Sequence, residues 1–402
     1  MIPHYALKKV AFFYATFPRP TETFVRRELR ALGELNFFPD IYSIWHGKNT
    51  WESRKINVFK LKRLSLLFYW IPYWFLRKPK ESRELLTYLW SHPCHSFQNW
   101  CETFLGLGYA LVEANNFKKK RYELIHAVWA TLPATAAFTI GKLVSINFSM
   151  GAHAYDVFRH GGDWLLEQKL KNATFVRTSS YSTARRLYQL GIKPTQVKLV
   201  KRSLSDRPKR RNFSLVDQQR LKLLSVGRLV EKKGYFHTLK IAALLKDSNI
   251  PFSLKIIGGG PLLSELQIEQ ERLGLIEEVS FLGSLGHQDV KKLYLQHDVF
   301  LFSGIVDSLG DRDGIPNVVP EALSAGMLVL ASNRAGAPEA FSDGESGFSL
   351  NPENYQSWTG LLSNFWRNPS EYDSIRKKAE VTVRENFDSI QNGRSLLEVL
   401  IN

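Results

Sequence analysis

Asp311-Arg312-Asp313-Gly314-Ile315-Pro316-Asn317-Val318-Val319-Pro320-Glu321 sets two carboxylates, Asp313 and Glu321, eight positions apart across a Gly-Ile-Pro-Asn turn. Pro316 cannot lie inside a helix, whereas Pro320 is tolerated in a first turn whose N–H groups have no intrahelical partner. A helix is therefore expected to begin near Asn317, with Glu321 on it and Asp313 in the loop before it. The amides of such a loop and first turn point outward with the positive end of the helix dipole, which suits a phosphate-bearing ligand. The two carboxylates are then placed to grip hydroxyls on either side. The alternative is a capped surface helix with an acidic approach loop.

Outward from this stretch, strand-like runs alternate with helix-length intervals. They are expected at residues 9–14, 124–129, 147–151, 174–178, 198–201, 223–226, 253–257, 279–282, 299–302 and 328–332. Many are continuously apolar, as strands covered on both faces are, so the fold class is α/β with parallel sheets. At 402 residues the chain is too long for one ordinary core and fits two domains. The polar run Ser203 to Asn212 separates two strands and is read as the linker, giving domains 1–205 and 206–402. Neither half carries a Gly-x-Gly-x-x-Gly fingerprint after its first strand, which disfavours hydride transfer.

The formal charge of +16 is unevenly placed: residues 1–200 hold 29 Lys/Arg against 13 Asp/Glu, and residues 201–402 hold 25 of each. The first domain therefore faces an anionic partner or carries a solubilising surface. Two cysteines, Cys94 and Cys101, make a disulfide framework unlikely and a reducing compartment plausible. His92, Cys94 and His95 match no familiar zinc spacing. Val10 to Phe17 is followed by Pro18 and lacks a small-residue cleavage site, so it is read as a strand and the chain as cytoplasmic. Leu64 to Leu76 is apolar and rich in Trp and Tyr, between Lys60-Leu61-Lys62-Arg63 and Arg77-Lys78-Pro79-Lys80. Thirteen residues of helix extend roughly 20 Å, short of a roughly 30 Å hydrocarbon core. Pro72 is expected to interrupt the run. Two readings stay open, docking at an anionic membrane interface and a buried helical hairpin.

Gly227-Arg228-Leu229-Val230-Glu231-Lys232-Lys233-Gly234 follows the strand at 223–226 and puts Arg228 and Lys233 around a turn at a strand's carboxyl end. Ligands of open α/β sheets bind at such ends, and two cations there can neutralise a diphosphate without a metal. A solvated basic turn is the alternative. Gly258-Gly259-Gly260-Pro261 follows another strand and lets a ligand approach the backbone, or simply turns the chain.

Together these residues resemble the retaining nucleotide-sugar glycosyltransferases of family 4. The likeness runs through Gly-Arg-Leu-x-x-x-Lys-Gly, Ile257 to Pro261, Phe281-Leu282-Gly283, Asp-Gly-Ile-Pro-Asn-Val-x-x-Glu-Ala and Ser324-Ala325-Gly326. Phe17-Pro18-x-x-Thr21-Glu22-Thr23-Phe24, Ile125-His126-Ala127 and Ala152-His153-Ala154-Tyr155-Asp156 are similar to members that build bacterial surface polysaccharides. The resemblance implies a GT-B fold, two Rossmann-like domains with parallel sheets facing a central cleft, and a last helix that packs back on the N-terminal domain. It also implies Glu321 on the nucleotide ribose, Asp313 beside the donor sugar, Arg228 and Lys233 on the diphosphate, and His153 on the sugar. Gly227, Gly260, Gly314, Ile315, Pro316, Asn317 and Val318 would line the donor, with Leu285 near the base. Thr21, Glu22 and His126 would face the acceptor. The implied partners are a nucleotide sugar, a lipid-linked or glycan acceptor and the inner face of an anionic membrane. No metal, cofactor or nucleic acid is implied.

The chain departs from the family pattern at Asp313, where Glu is commoner, at Pro18-Arg19-Pro20, where a glycine pair is frequent, and at His126-Ala127-Val128, where His-x-His is frequent. Asp311-Arg312-Asp313 also mimics an Asp-x-Asp metal motif, but Arg228 and Lys233 already supply the charge neutralisation. Competing classes are a nucleotide-sugar epimerase on the same fold, an inverting transferase, and a non-catalytic basic protein that binds a membrane or a polyanion.

Overall fold

The computed structural model describes residues 8–19, 22–204 and 219–402, which form two compact units, Met1–Ser203 with Ser389–Asn402 and Leu204–Asp388. Most of the expected linker and the expected acceptor residue Thr21 lie outside the described residues.

The first unit is built on β1 (Val10–Phe17), β2 (Asp40–Gly47), β3 (Thr50–Trp51), β4 (Arg54–Val58), β5 (Leu124–Ala127), β6 (Asn147–Gly151), β7 (Val176–Thr178) and β8 (Val197–Leu199). Their order is β3-β4-β2-β1-β5-β6-β7-β8, parallel throughout except for the β3–β4 hairpin. Alternate residues of β1 serve opposite layers: Ala11 and Phe13 join one core, and Val10, Phe12 and Tyr14 join the other. The second of these layers also takes Leu396, Leu397 and Leu400 from the C-terminal helix Ser389–Ile401. That helix lies against Thr23–Glu34 so closely that a Cβ on Gly393 would come within 2.9 Å of Ala31 Cβ.

The second unit carries β9 (Leu221–Val226), β10 (Phe252–Ile257), β11 (Val279–Phe281), β12 (Val299–Phe302), β13 (Leu328–Ser332) and β14 (Phe348–Leu350). They form one parallel sheet in the order β11-β10-β9-β12-β13-β14. Val299 and Leu301 face one helical layer while Phe300 and Phe302 face the other, so continuous apolar runs are what this sheet requires. The strand order reverses direction between β9 and β12, and ligands of doubly wound sheets bind in the crevice outside the strand ends at such a point.

β2, β3, β4 and β14 were not among the expected strands. β2 reads Asp-Ile-Tyr-Ser-Ile-Trp-His-Gly and ends in exposed residues, so it lacks the continuous apolar run by which the others are recognised. Pro72 does not interrupt its segment. The helix Leu67–Arg77 runs through it. Pro72 is exposed, so the carbonyl of Phe68, which loses its intrahelical donor, lies toward the open side of the helix.

Candidate active site

Three loops meet at the reversal point of the second sheet. The loop after β9 is held by Gly227 N–H on the Ile257 carbonyl (2.9 Å) and Leu229 N–H on the Gly259 carbonyl (3.0 Å). A Cβ on Gly260 would fall 2.4 Å from the Leu229 carbonyl oxygen, so only glycine lets these two loops touch. The next constraint is Gly234, which has φ +68° and opens the helix Tyr235–Asp247. A Cβ there would meet the Ser303 carbonyl oxygen at 1.9 Å, so glycine is needed both for the left-handed backbone and for the approach to the end of β12.

That close approach carries Lys232 and Lys233 to the loop after β12. The Lys233 ammonium lies 5.3 Å from the Phe302 ring centroid and donates to Asp313 Oδ2 at 2.6 Å. Lys232 Nζ stands 2.8 Å from Asp311 Oδ2 and 3.5 Å from Asp313 Oδ1. Burial would push the Asp313 carboxyl up, but the ammonium groups of Lys233 and Lys232 outweigh it and hold the group below the ordinary range, so Asp313 is ionised at neutral pH. For Asp311 burial wins over Lys232 and the carboxyl is raised. Both carboxylates therefore face lysines. Among the described residues no group of three or more His, Cys, Asp and Glu is arranged to hold a metal ion.

The Arg228 side chain is exposed and makes no hydrogen bond or ion pair among the described residues, which leaves its planar fork available to a ligand. The helix after the loop runs Val318–Ser324 with Asn317 as its cap residue, as the two prolines dictate. Glu321 is buried on that helix and accepts from the Tyr294 hydroxyl at 3.3 Å. Ile315 is a core residue, so only its backbone can line a ligand. Gly314 is propped by the loop after β13, where Gly336 N–H donates to the Asp313 carbonyl at 3.0 Å. Leu285 is exposed after β11, in the loop whose Gly283 carbonyl accepts from Gly258 N–H at 2.8 Å.

In the first unit His153 is 1% exposed beyond the end of β6, with Trp129 and Phe24 edge-on at 5.3 and 6.0 Å. Neither ring nitrogen reaches hydrogen-bonding geometry. Burial, with Arg202 and Arg177 adding to it, pushes its pKa well down, so the ring is neutral. Asp156 organises this loop by accepting from Ala154 N–H (2.7 Å), His153 N–H (3.1 Å) and Ala130 N–H (3.2 Å). Glu22 lies 3.6 Å from Arg19 in an ion pair, its carboxyl raised by burial.

His126 corrects the sequence reading. It lies within β5, between Phe12 and Phe175, with Nδ1 2.9 Å from Ser149 Oγ. Burial, with a smaller contribution from Arg177, pushes its pKa down to about 3. Its ring faces packed side chains and not a surface open to an acceptor. The sequence reading also passed over Lys232, which is 5% exposed and bridges both aspartates. Only the pairing of two adjacent lysines with two alternate aspartates hinted at it.

Two Rossmann-like sheets in one chain, the second with a charged cluster at its reversal point, define a GT-B protein. Residues 206–382, within the second unit, match the family model for glycosyl transferases group 1. The chain is 23% identical to the WcaL protein of Salmonella typhimurium strain LT2, described as a colanic acid biosynthesis glycosyltransferase, over 98% of this chain and 99% of that one. It is 28% identical to the amylovoran biosynthesis glycosyltransferase AmsK of Erwinia amylovora over 48% of each chain. Among solved structures, HepE of Anabaena in complex with UDP superposes with a TM-score of 0.72 at 16% identity, covering 98% of this chain and 99% of that one. Sucrose-phosphate synthase of Thermosynechococcus elongatus gives 0.71 at 14% identity, covering 98% of each.

Proposed function

We propose that this protein is a retaining, metal-independent hexosyltransferase of the family 4 kind, moving a sugar from a nucleotide diphosphosugar to a lipid-linked or polysaccharide acceptor in surface-glycan assembly. One observation carries the reading: at the reversal point of the second sheet the loop after β9 carries an exposed Arg228 and a partly buried Lys233 paired with Asp313, and that loop is in contact with the glycine loop after β10. Lys233 is already poised by Asp313, so a bound diphosphate meets a fixed ammonium and a mobile guanidinium. Ionised Asp313 accepts hydrogen bonds only, which suits the hydroxyls of the donor sugar. Glu321, held by Tyr294, is assigned to the ribose hydroxyls. In the transfer step the acceptor hydroxyl oxygen bonds to the anomeric carbon from the face the diphosphate leaves. The bond from that carbon to the diphosphate oxygen breaks, and the acceptor proton passes to that departing oxygen. His153 is assigned to the transferred sugar and Glu22 to the acceptor on the resemblance alone.

The names of WcaL and AmsK concern bacterial exopolysaccharides, and HepE was solved with UDP, which supports the donor class and the pathway class. The acceptor's lipid places the enzyme at the cytoplasmic face of the plasma membrane in this reading. No helix among the described residues is long and apolar enough to cross a membrane.

The test is nucleotide release across UDP-, GDP- and ADP-sugars with a membrane extract as acceptor source. Release from one donor that falls by roughly a hundredfold or more in Asp313→Asn supports the reading. Inversion at the anomeric carbon, a glycosyl adduct trapped on the protein, or dependence on an added divalent metal would overturn the corresponding part of it.

A further inference from the structure

Most of the apolar run of the first unit lies in the helix Leu67–Arg77, which Lys78 joins to a second helix, Pro79–Ser91. Leu67, Trp70 and Trp74, at helical spacing, pack against the core of that unit, and Trp74 Nε1 donates to the Leu111 carbonyl at 2.8 Å. The opposite face is apolar too. Phe68 is 92% exposed and Leu76 83%, with Tyr69, Ile71 and Phe75 between them also exposed. A surface helix of a soluble protein turns polar residues outward, and one that is apolar all round requires a second apolar environment. The neighbouring helix adds Lys80, Arg83, Leu86 and Trp90 on its exposed side, and Trp90 is 94% exposed.

Charge identifies what covers this face. Between Lys60 and Arg83 the chain has seven Lys/Arg and one acidic residue, Glu81. Two of the cations are committed, Arg63 to Glu113 and Lys78 to Glu81. Lys60, Lys62, Arg77, Lys80 and Arg83 make no ion pair among the described residues and are exposed. A second copy of this chain, docked face to face, would bring the same cations together. A leaflet of anionic phospholipid offers the complement, phosphates for the cations, an interfacial layer for Tyr and Trp, and hydrocarbon for Phe68 and Leu76. An eleven-residue helix is roughly 16 Å long, too short to cross and suited to lying along the interface.

We propose that the outer face of Leu67–Arg77, with Trp90 and the cations around it, docks the protein onto an anionic phospholipid leaflet, inserting Phe68 and Leu76 among the acyl chains. This deepens the lipid-linked acceptor reading but does not depend on catalysis, because vesicle binding is measured without donor or acceptor. The probe is sedimentation with sucrose-loaded vesicles of phosphatidylcholine, alone or mixed with phosphatidylglycerol. The full chain is expected to bind the anionic vesicles and to be released by salt. Phe68→Ser with Leu76→Ser should weaken binding by about a hundredfold, the loss of two buried apolar side chains. Lys62→Gln with Arg83→Gln should weaken it by about 25-fold, and on anionic vesicles only. Thermal melting should be unchanged in both variants, which separates docking from folding. Failure of the wild-type chain to bind, equal binding by the variants, or a dimer in gel filtration that Phe68→Ser with Leu76→Ser dissolves would each overturn the proposal.

Discussion

The two sheets reverse their strand order in the same way, β1 against β5 in the first unit and β9 against β12 in the second, yet they treat charge at their strand ends differently. In the first unit polar groups turn inward. Lys169 donates to the Ala130 carbonyl and pairs with Asp163, Asp156 accepts backbone amides, and His153 is enclosed by aromatic rings. In the second unit Lys232 and Lys233 are drawn to Asp311 and Asp313 where two loops meet, and Arg228 is left exposed. One topology thus supports a platform whose polar groups turn inward and a charged cradle. The difference lies in which loops carry glycine and which carry bulky aromatics.

The largest effect that tests this contrast compares one buried ion pair from each unit. Arg177 holds Glu28 with two hydrogen bonds of 2.8 and 2.5 Å, as Lys232 holds Asp311 at 2.8 Å. Arg177→Met and Lys232→Met should each cost about 3–5 kcal/mol, because a buried carboxylate is left unpaired. Adding Glu28→Leu to Arg177→Met should restore most of the thermal stability and leave nucleotide release per folded molecule unchanged, whereas Lys232→Met should also lower that release. If both variants affect release equally, the division into platform and cradle fails.

A smaller effect concerns pH. The folded chain keeps His126 neutral down to about pH 3, while the unfolded chain takes up a proton below its ordinary value of 6.5. Stability is therefore full above pH 6.5 and falls as pH drops from there toward 3, by about 2 kcal/mol at pH 5 from this one group. His126→Gln should show that much less loss between pH 7 and pH 5 in melting experiments. Parallel pH profiles would mean that the ring is not held neutral. The smallest stability change is expected for Arg228→Ala, within about 0.5 kcal/mol, since the side chain is exposed and unpaired. Its donor affinity should fall roughly tenfold by titration calorimetry, which makes Arg228 the position where function and stability separate most clearly.

Much of the second unit is legible because its signals are local. Pro316 and Pro320 fix where the helix that carries Glu321 begins, and β9, β12 and β13 are apolar on both faces in a way only a covered parallel strand needs. The first unit hides more. β2 alternates and ends polar, β3 and β4 form a short hairpin, and the segment 64–76 reads equally as buried or exposed because both of its faces are apolar. His126 and His153 are both histidines near the ends of apolar strands, and nothing adjacent in the chain says which one the sheet encloses within its packing.

By itself the sequence determined the parallel α/β class, the charge asymmetry, the loop-to-helix transition at Asn317 and the charged residue types that its strand-end loops carry. These follow from backbone restrictions of Pro and Gly and from the periodicity of apolar residues, which act over a few positions. The tertiary structure alone decided that Lys232 joins Lys233 in holding the aspartates, that His126 is a core residue, and that Phe68 and Leu76 remain uncovered. Those outcomes depend on contacts between segments far apart in the chain, as the 2.6 Å Lys233–Asp313 bond across 80 positions illustrates. Burial and pairing at that range are set by the order of strands in a sheet, which no local pattern encodes.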